Sequence, residues 1–477
     1  MNNLEVIIGI EVHVVLNTKT KMFSRSLNSH YGLPNTLVNE IDLGLPGILP
    51  HPNPEAIKKG LWLAKALKAT ANYQNIQFDR KNYYYSDLPK GYQITQQYYP
   101  LAENGQITIE TNQGVKNISV QRMHLEEDTA KQIVKDDAIL LDYNRCGCPL
   151  IEIVTDPVIS SAQEAAEYLK NLIRILRFNE ISDAKLEDGS LRADVNISLR
   201  PYGQKSFNNK VEIKNINSIN NVVKAINYEI QRQTAIILQD ETVKQETRRF
   251  DETSQTTIFM RHKSNANNYH YIHEPNIVTI QLTDSEYDAI LKQKNKDLDE
   301  LVLELQQFGL SQDNIELLLN DYELYKLYKE LTNQTNLATL SFNWLSVDIM
   351  GWLKKLNYEY NHLTPTRLSS IAKMLILLNE QEINGKQAKV ILEQLMTTNQ
   401  DTMTIIQNNG FEQIKDINLL TQMIETFINQ SPEMINQYVE RPERVEKFLV
   451  GLVMKETKAQ ANPKITMDII VKLLKKN

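Results

Sequence analysis

In the stretch LEVIIGIEVHVVL, apolar residues fall at every second position: Val6, Ile8, Ile10, Val12, Val14 and Leu16. A period of two predicts a β-strand with one continuous apolar face. The other face carries Ile7, Gly9, Glu11, His13 and Val15, so a carboxylate and an imidazole stand side by side on a strand that must be buried. The alternation recurs in QITIET, NISVQRMHLEED, PLIEIVTDP, SLRADVNISLRP and KVEIKNI. Helical spacing appears in PEAIKKGLWLAKALKAT, with Pro54 suited to a first turn, and in AQEAAEYLKNLIRILRF. It appears again in SINNVVKAINYEIQRQTAIIL, where Ser218 is placed to cap. Strands joined mostly by short turns, with helices grouped between them, predict an α+β domain around a large antiparallel sheet over residues 1–285. Beyond it the pattern is helical. A break at Pro365 is local, and a change in composition near residue 400 divides a helical domain, 286–400, from a helical tail domain, 401–477.

Length agrees with two or three domains, since 477 residues exceed one ordinary core. No stretch approaches the roughly 20 apolar residues of a membrane helix. The first residues have neither a signal segment nor an Arg-rich leader, so the expectation is a cytoplasmic protein without a membrane. Two cysteines, Cys146 and Cys148 in NRCGCPL, cannot build a disulfide framework or complete a four-ligand zinc site. A net charge of −7 argues against coating nucleic acid non-specifically. Residues 441–477 nevertheless hold nine Lys or Arg against four acids.

Several strands repeat the design of the first. In SLRADVNISL, Arg192, Asp194, Asn196 and Ser198 share the polar face; in KVEIK, Lys210, Glu212 and Lys214 do. Glu152 interrupts an apolar run, where a lone carboxylate is costly unless paired or coordinated. HLEEDTAK places Glu126 and Glu127 on opposite sides of a strand, followed by Asp128. Each feature alone also fits an ordinary solvated face. Together, Glu11, Glu127, Glu152, Asp194 and Glu212 would converge with His13 if their strands share a sheet. Such repulsion calls for a divalent cation. Carboxylates suit Mg²⁺, and the imidazole equally suits Mn²⁺ or Zn²⁺. FDRKNYYYSDLPKGYQ combines Arg80, Lys81 and Lys90 with four tyrosines, a composition that binds phosphates and stacks on bases or else simply packs a core strand. No Walker-type or dinucleotide-type glycine loop occurs.

Seven segments in order, from IGIEVHVVLNTKTKMF, FDRKNYYYSDLPKGYQITQ and HLEEDTAK through NRCGCPLIEIV, DGSLRADVNISLRP, EIKNINSINNV and QETRRFDE, resemble the B subunits of the aspartyl/glutamyl-tRNA(Asn/Gln) amidotransferases. FLVGLVMKETKAQANPK is similar to the tail domain of that family. The resemblance implies a cradle-shaped first domain, a helical domain, and a tail that contacts tRNA. It implies a heterotrimer with an amidase-like A subunit and a small C subunit. ATP would phosphorylate the side-chain carboxylate of Glu or Asp on misacylated tRNA(Gln) or tRNA(Asn), and ammonia would displace the phosphate. It further implies His13, Glu127 and Glu152 as ligands of Mg²⁺ (or Mn²⁺), with Glu11 beside them. Lys81 and Arg192 would stabilise phosphate charge, and Asp194 and Glu212 would position metal or aminoacyl group.

The chain departs from the family in three places. Ser24, Ser26, Asn39 and Asp42 stand where many relatives carry four cysteines, so no structural zinc is expected. His270 and His273 alter the segment 268–276, NYHYIHEPN, and Ala130 replaces a common glycine. A tRNA-binding scaffold without catalysis and a lone metal-dependent hydrolase are the rival classes.

Overall fold

The structure is a computed structural model, and it describes residues 4–29, 32–262, 269–293, 297–412, 414, 416–457 and 460–475. Asn268 of the altered segment and Lys458 and Lys476 of the basic tail lie outside the described residues. The chain forms two compact units, Met1–Val302 and Leu303–Asn477.

The first unit begins with β1 (Leu4–Val15), α1 (Pro54–Ala66), β2 (Thr70–Ala71), β3 (Asp79–Asn82) and β4 (Tyr92–Thr95). It continues with β5 (Ala102–Thr111), β6 (Gly114–Glu127), β7 (Lys131–Lys135), β8 (Ala138–Asp142), β9 (Pro149–Thr155) and α2 (Ala162–Phe178). β10 (Leu191–Pro201), β11 (Val211–Ile216), α3 (Ile219–Leu238), β12 (Glu246–Asp251), β13 (Thr256–His262), β14 (His270–His273) and α4 (Asp284–Gln293) complete it.

Nine strands form the main sheet, in the order β13-β12-β11-β10-β1-β9-β6-β5-β2. The sheet is mixed rather than wholly antiparallel: β11 and β12 run parallel. The cause is α3, which carries the chain from one to the other, and strands joined by a helical crossover run in the same direction. The apolar face of β1, from Ile8 to Leu16, merges with Ile151, Ile153, Met123, Leu125, Val195 and Ile197 into one core. Helices α1, α2 and α3 pack on this core. Each helix starts where its cap predicts: Asn53, Ser161 and Ser218 accept the backbone N–H of Glu55, Glu164 and Asn221. α1 stops at Ala66, and Lys68 then takes a positive φ of 55°. With helices on one face, the polar face of the sheet is left for chemistry. A small sheet, β14-β3-β4, packs beside β6.

The second unit is helical. Pro365 begins the helix Pro365–Asn379, as a proline at a first turn does. The segment Trp344–Ile349 is π-helical. Helices Ile417–Gln430, Pro442–Glu456 and Pro463–Leu474 bury their own cluster, centred on Leu420, Ile424, Val445, Leu449 and Ile470. No described helix is long and apolar enough to cross a membrane.

Candidate active site

Register builds the site. Glu11 lies opposite Asp194 on β10, and His13 lies opposite Arg192 on β10 and Glu152 on β9. On β6, His124 is the partner of Glu152. Asn196 on β10 faces Glu212 on β11. Five neighbouring strands, β11, β10, β1, β9 and β6, therefore carry a continuous polar stripe across one face.

At its centre His13 Nε2 is 3.4 Å from Glu126 Oε1 and 3.4 Å from Glu152 Oε2. His124 Nε2 approaches Glu152 Oε2 to 2.9 Å and Glu126 Oε2 to 3.8 Å. Thr95 Oγ1 donates to Glu126 Oε2 at 3.5 Å. Burial, reinforced by the charge of Glu152, pushes the Glu11 carboxyl up to about 7. Burial likewise raises Glu126, again reinforced by Glu152. Burial works against charge on His13, but the Glu152 hydrogen bond and the charges of Glu152, Glu126 and Glu11 outweigh it and lift the imidazole to about 9. Glu152 is lowered well below the usual carboxylate range despite its burial, because His124 and His13 both stabilise its charge.

One expected ligand stands elsewhere. Glu127 points to the opposite side of β6, where Lys90 Nζ meets its two oxygens at 2.5 and 2.6 Å and the Ile94 N–H donates at 3.0 Å. Side chains alternate along a strand, so only one of two adjacent acids can face His13. The structure brings Glu126 there, and with it His124, which sequence reasoning left out altogether. Three ligand atoms, one each from His13, Glu126 and Glu152, lie within 4.8 Å of one another, as do three from Glu11, His13 and Asp194.

The remaining candidates ring this centre. Lys214 Nζ is hydrogen-bonded to Asp194 and lies 3.6 Å from Glu212 Oε1. Thr247 Oγ1 donates to Glu212 at 2.8 Å. Arg192 grips Asp128 with both terminal nitrogens, at 3.2 and 2.9 Å. Lys81 lies 4.7 Å from the Tyr269 ring centroid and 5.7 Å from that of Tyr83. Burial opposes its charge, but the field of Glu126, then Tyr271 and Glu152, raises its pKa. Glu11 also lines a cavity of about 330 Å³ with Gly9, Gln121, Asn196, Ser198, Phe207, Asn208 and Lys210.

His270 and His273 lie on β14, paired with Asn82 and Asp79 of β3, and His273 Nδ1 is 3.6 Å from Asp79 Oδ1. Asp42, one of the four positions read against zinc, is buried with Lys21 Nζ at 3.3 Å and accepts the Asn39 N–H at 3.1 Å. Asn39 Oδ1 accepts the backbone N–H of Ile41 and Asp42, and Ser24 Oγ accepts that of Ser26. Cys146 and Cys148 are buried free thiols, which burial pushes up to about 12. They are packing groups at neutral pH.

The chain belongs to the GatB/GatE family: the profile of the GatB/GatE catalytic domain matches residues 6–288, and that of the GatB domain matches 326–474. Among its relatives is the B subunit of the aspartyl/glutamyl-tRNA(Asn/Gln) amidotransferase of Ureaplasma parvum serovar 3, 51% identical over 477 residues and all of both chains. The B subunits of the same amidotransferase from Mycoplasma pneumoniae and Mesoplasma florum are 44% and 42% identical, over 99% of this chain and 98% and 99% of theirs.

Proposed function

We propose that this chain is the subunit that activates the side chain of a tRNA-bound amino acid for amidation. A carboxylate is a poor target for ammonia, because its charge repels the nucleophile and oxide is a poor leaving group. In the proposed reaction a carboxylate oxygen of Glu-tRNA(Gln) or Asp-tRNA(Asn) attacks the terminal phosphorus of ATP, and ADP departs. Ammonia released from glutamine by an A subunit, braced by a small C subunit, then attacks the acyl carbon, and phosphate leaves. The products are Gln-tRNA(Gln) or Asn-tRNA(Asn).

The observation that carries this reading is the acidic centre bordered by cationic side chains and adjoining a cavity. Glu126 is buried and Glu152 half-buried beside His13, and burial, reinforced by the charge of Glu152, raises Glu126, a donor set that fits a divalent cation. His13, Glu126 and Glu152 would hold Mg²⁺, or Mn²⁺, in place of the set with Glu127. When bound, the ion supplies the positive charge that lets a carboxylate and a phosphate approach. Lys81 and Lys214 border the stripe and neutralise phosphate charge as it redistributes. Arg192, braced by Asp128, adds a fixed guanidinium on the same face. In the adjoining cavity the exposed ring of Phe207 offers a stacking surface for a base, and Lys210 an ammonium for phosphate. Glu11 lies between cavity and acidic centre, where nucleotide and carboxylate substrate would meet.

The test is reconstitution with candidate A and C subunits. Glu-tRNA(Gln) and Asp-tRNA(Asn) are supplied separately with ATP and glutamine, and the esterified amino acid is identified. The expected outcome is ATP-dependent conversion of at least one of them. Binding of tRNA with no ATP consumed would replace this reading with that of a scaffold.

A further inference from the structure

We propose that His124 is the positioning residue of the cation site, the donor that holds Glu152 in place once His13 is committed to a cation. The inference rests on the cation reading above and assigns a role to a residue that touches neither substrate nor ion. His124 precedes Glu126 by two residues on β6, so both face the stripe, and its register partner is Glu152. It is 3% exposed. Nε2 is the nitrogen aimed at the carboxylates, 2.9 Å from Glu152 Oε2, while Nδ1 is buried without a hydrogen-bond partner. An ionised carboxylate only accepts, so the hydrogen sits on Nε2.

His13 Nε2 approaches the same Glu152 oxygen, at 3.4 Å. A ring nitrogen that gives its lone pair to a cation carries no hydrogen there, and cannot also donate to a carboxylate. With His13 so engaged, His124 is the only imidazole donor left to Glu152 among the described residues. Its place on an inner strand of the main sheet fixes the direction of that hydrogen bond. Partners that orient metal-ligating carboxylates typically change metal affinity about 10–100-fold when removed. A histidine that merely filled space would alter stability and leave metal affinity alone.

The experiment titrates Mn²⁺ alone into the full-length chain, follows free Mn²⁺ by electron paramagnetic resonance, and measures thermal unfolding in chelator in parallel. His124→Ala is expected to weaken Mn²⁺ binding about 10–100-fold. His124→Gln, whose amide nitrogen reaches the Nε2 position, retains binding close to the parent chain. His124→Asn, whose amide reaches only the Nδ1 position, behaves like the alanine variant. Parent-like binding by both Ala and Asn variants, with binding lost in His13→Ala, overturns the positioning role and leaves the cation reading intact. Failure of the parent chain to bind, or undiminished binding by His13→Ala, overturns the cation reading and this inference with it. Should the alanine variant not fold, the Gln and Asn pair decides: equal affinities in the two overturn the proposal.

Discussion

Two groups of acids in the first unit have opposite surroundings. Where α3 meets β12 and β13, Glu229 accepts from Arg232 Nε at 3.0 Å and Nη2 at 2.9 Å, from Gln233 at 3.0 Å and from Thr257 at 2.5 Å. Glu246 takes Arg248 at 2.9 Å and Arg232 at 3.2 Å. Two carboxylates share two guanidiniums, and the group is closed. Across the polar stripe, the ion-pair partners of Glu126 and Glu152 among the described residues are imidazoles. Burial and mutual repulsion there raise Glu11 and Glu126. Acids balanced from within hold the architecture together. Acids left short of positive charge mark the place where an ion or substrate must supply it.

The sharpest way to break this comparison lies within one strand. Glu126 and Glu127 are adjacent and both 3% exposed, yet one joins the unbalanced group and the other is paired with Lys90. Glu126→Gln should cut ATP-dependent amidation by about 100-fold or more, as loss of an electrostatic partner of developing charge does. Its unfolding midpoint in chelator should hold or rise, because a repulsive charge is gone. Glu127→Gln strands the buried Lys90 ammonium and should cost about 3–5 kcal/mol in denaturant unfolding. Stability lost equally in both variants would erase the distinction.

How far this contrast can be read from sequence depends on the strand. Along β1 and β10 the apolar positions alternate without interruption, so the orientation of Glu11, His13 and Asp194 is legible from the spacing alone. HLEED offers no such guide, because three acids in a row satisfy either parity. The usable signal is His124-x-Glu126, a mirror of Glu11-x-His13: each spacing puts an imidazole and a carboxylate on one face. The parallel pairing of β11 with β12 also leaves a trace, a strand–helix–strand run from KVEIKNI to QETRRFDE, which calls for a crossover. The small sheet leaves none. It pairs Lys81 with Tyr271, and no local periodicity connects segments so far apart in sequence.

A smaller effect is expected on the closed side of the comparison. Glu229→Gln keeps the shape but exchanges an ionised acceptor for an amide, leaving Arg232 and Arg248 partly unmatched. A loss of about 1–3 kcal/mol in unfolding free energy should follow. Mn²⁺ affinity should match the parent chain, since nothing in the network touches His13, Glu126 or Glu152. A change in that affinity would show that the two groups of acids are coupled.

The weakest test concerns a carboxylate that is balanced but near water. Glu164, in the first turn of α2, accepts from Lys116 Nζ at 2.7 Å and from the Ser160 N–H at 2.8 Å. Burial works against its charge, but these hydrogen bonds prevail and lower it from its ordinary 4.5. A carboxyl lowered on folding binds its proton more readily in the unfolded chain. Its contribution is therefore fully present above pH 4.5 and is lost as the pH falls through the lower folded value. Glu164→Gln should thus lower the unfolding free energy at pH 7 by less than about 1 kcal/mol, the range of an exposed pair. The difference from the parent chain should shrink as acid is added. A difference that instead grew in acid would mean that Glu164 is held as an acid short of positive charge, like Glu11, and that pairing alone does not separate the two groups.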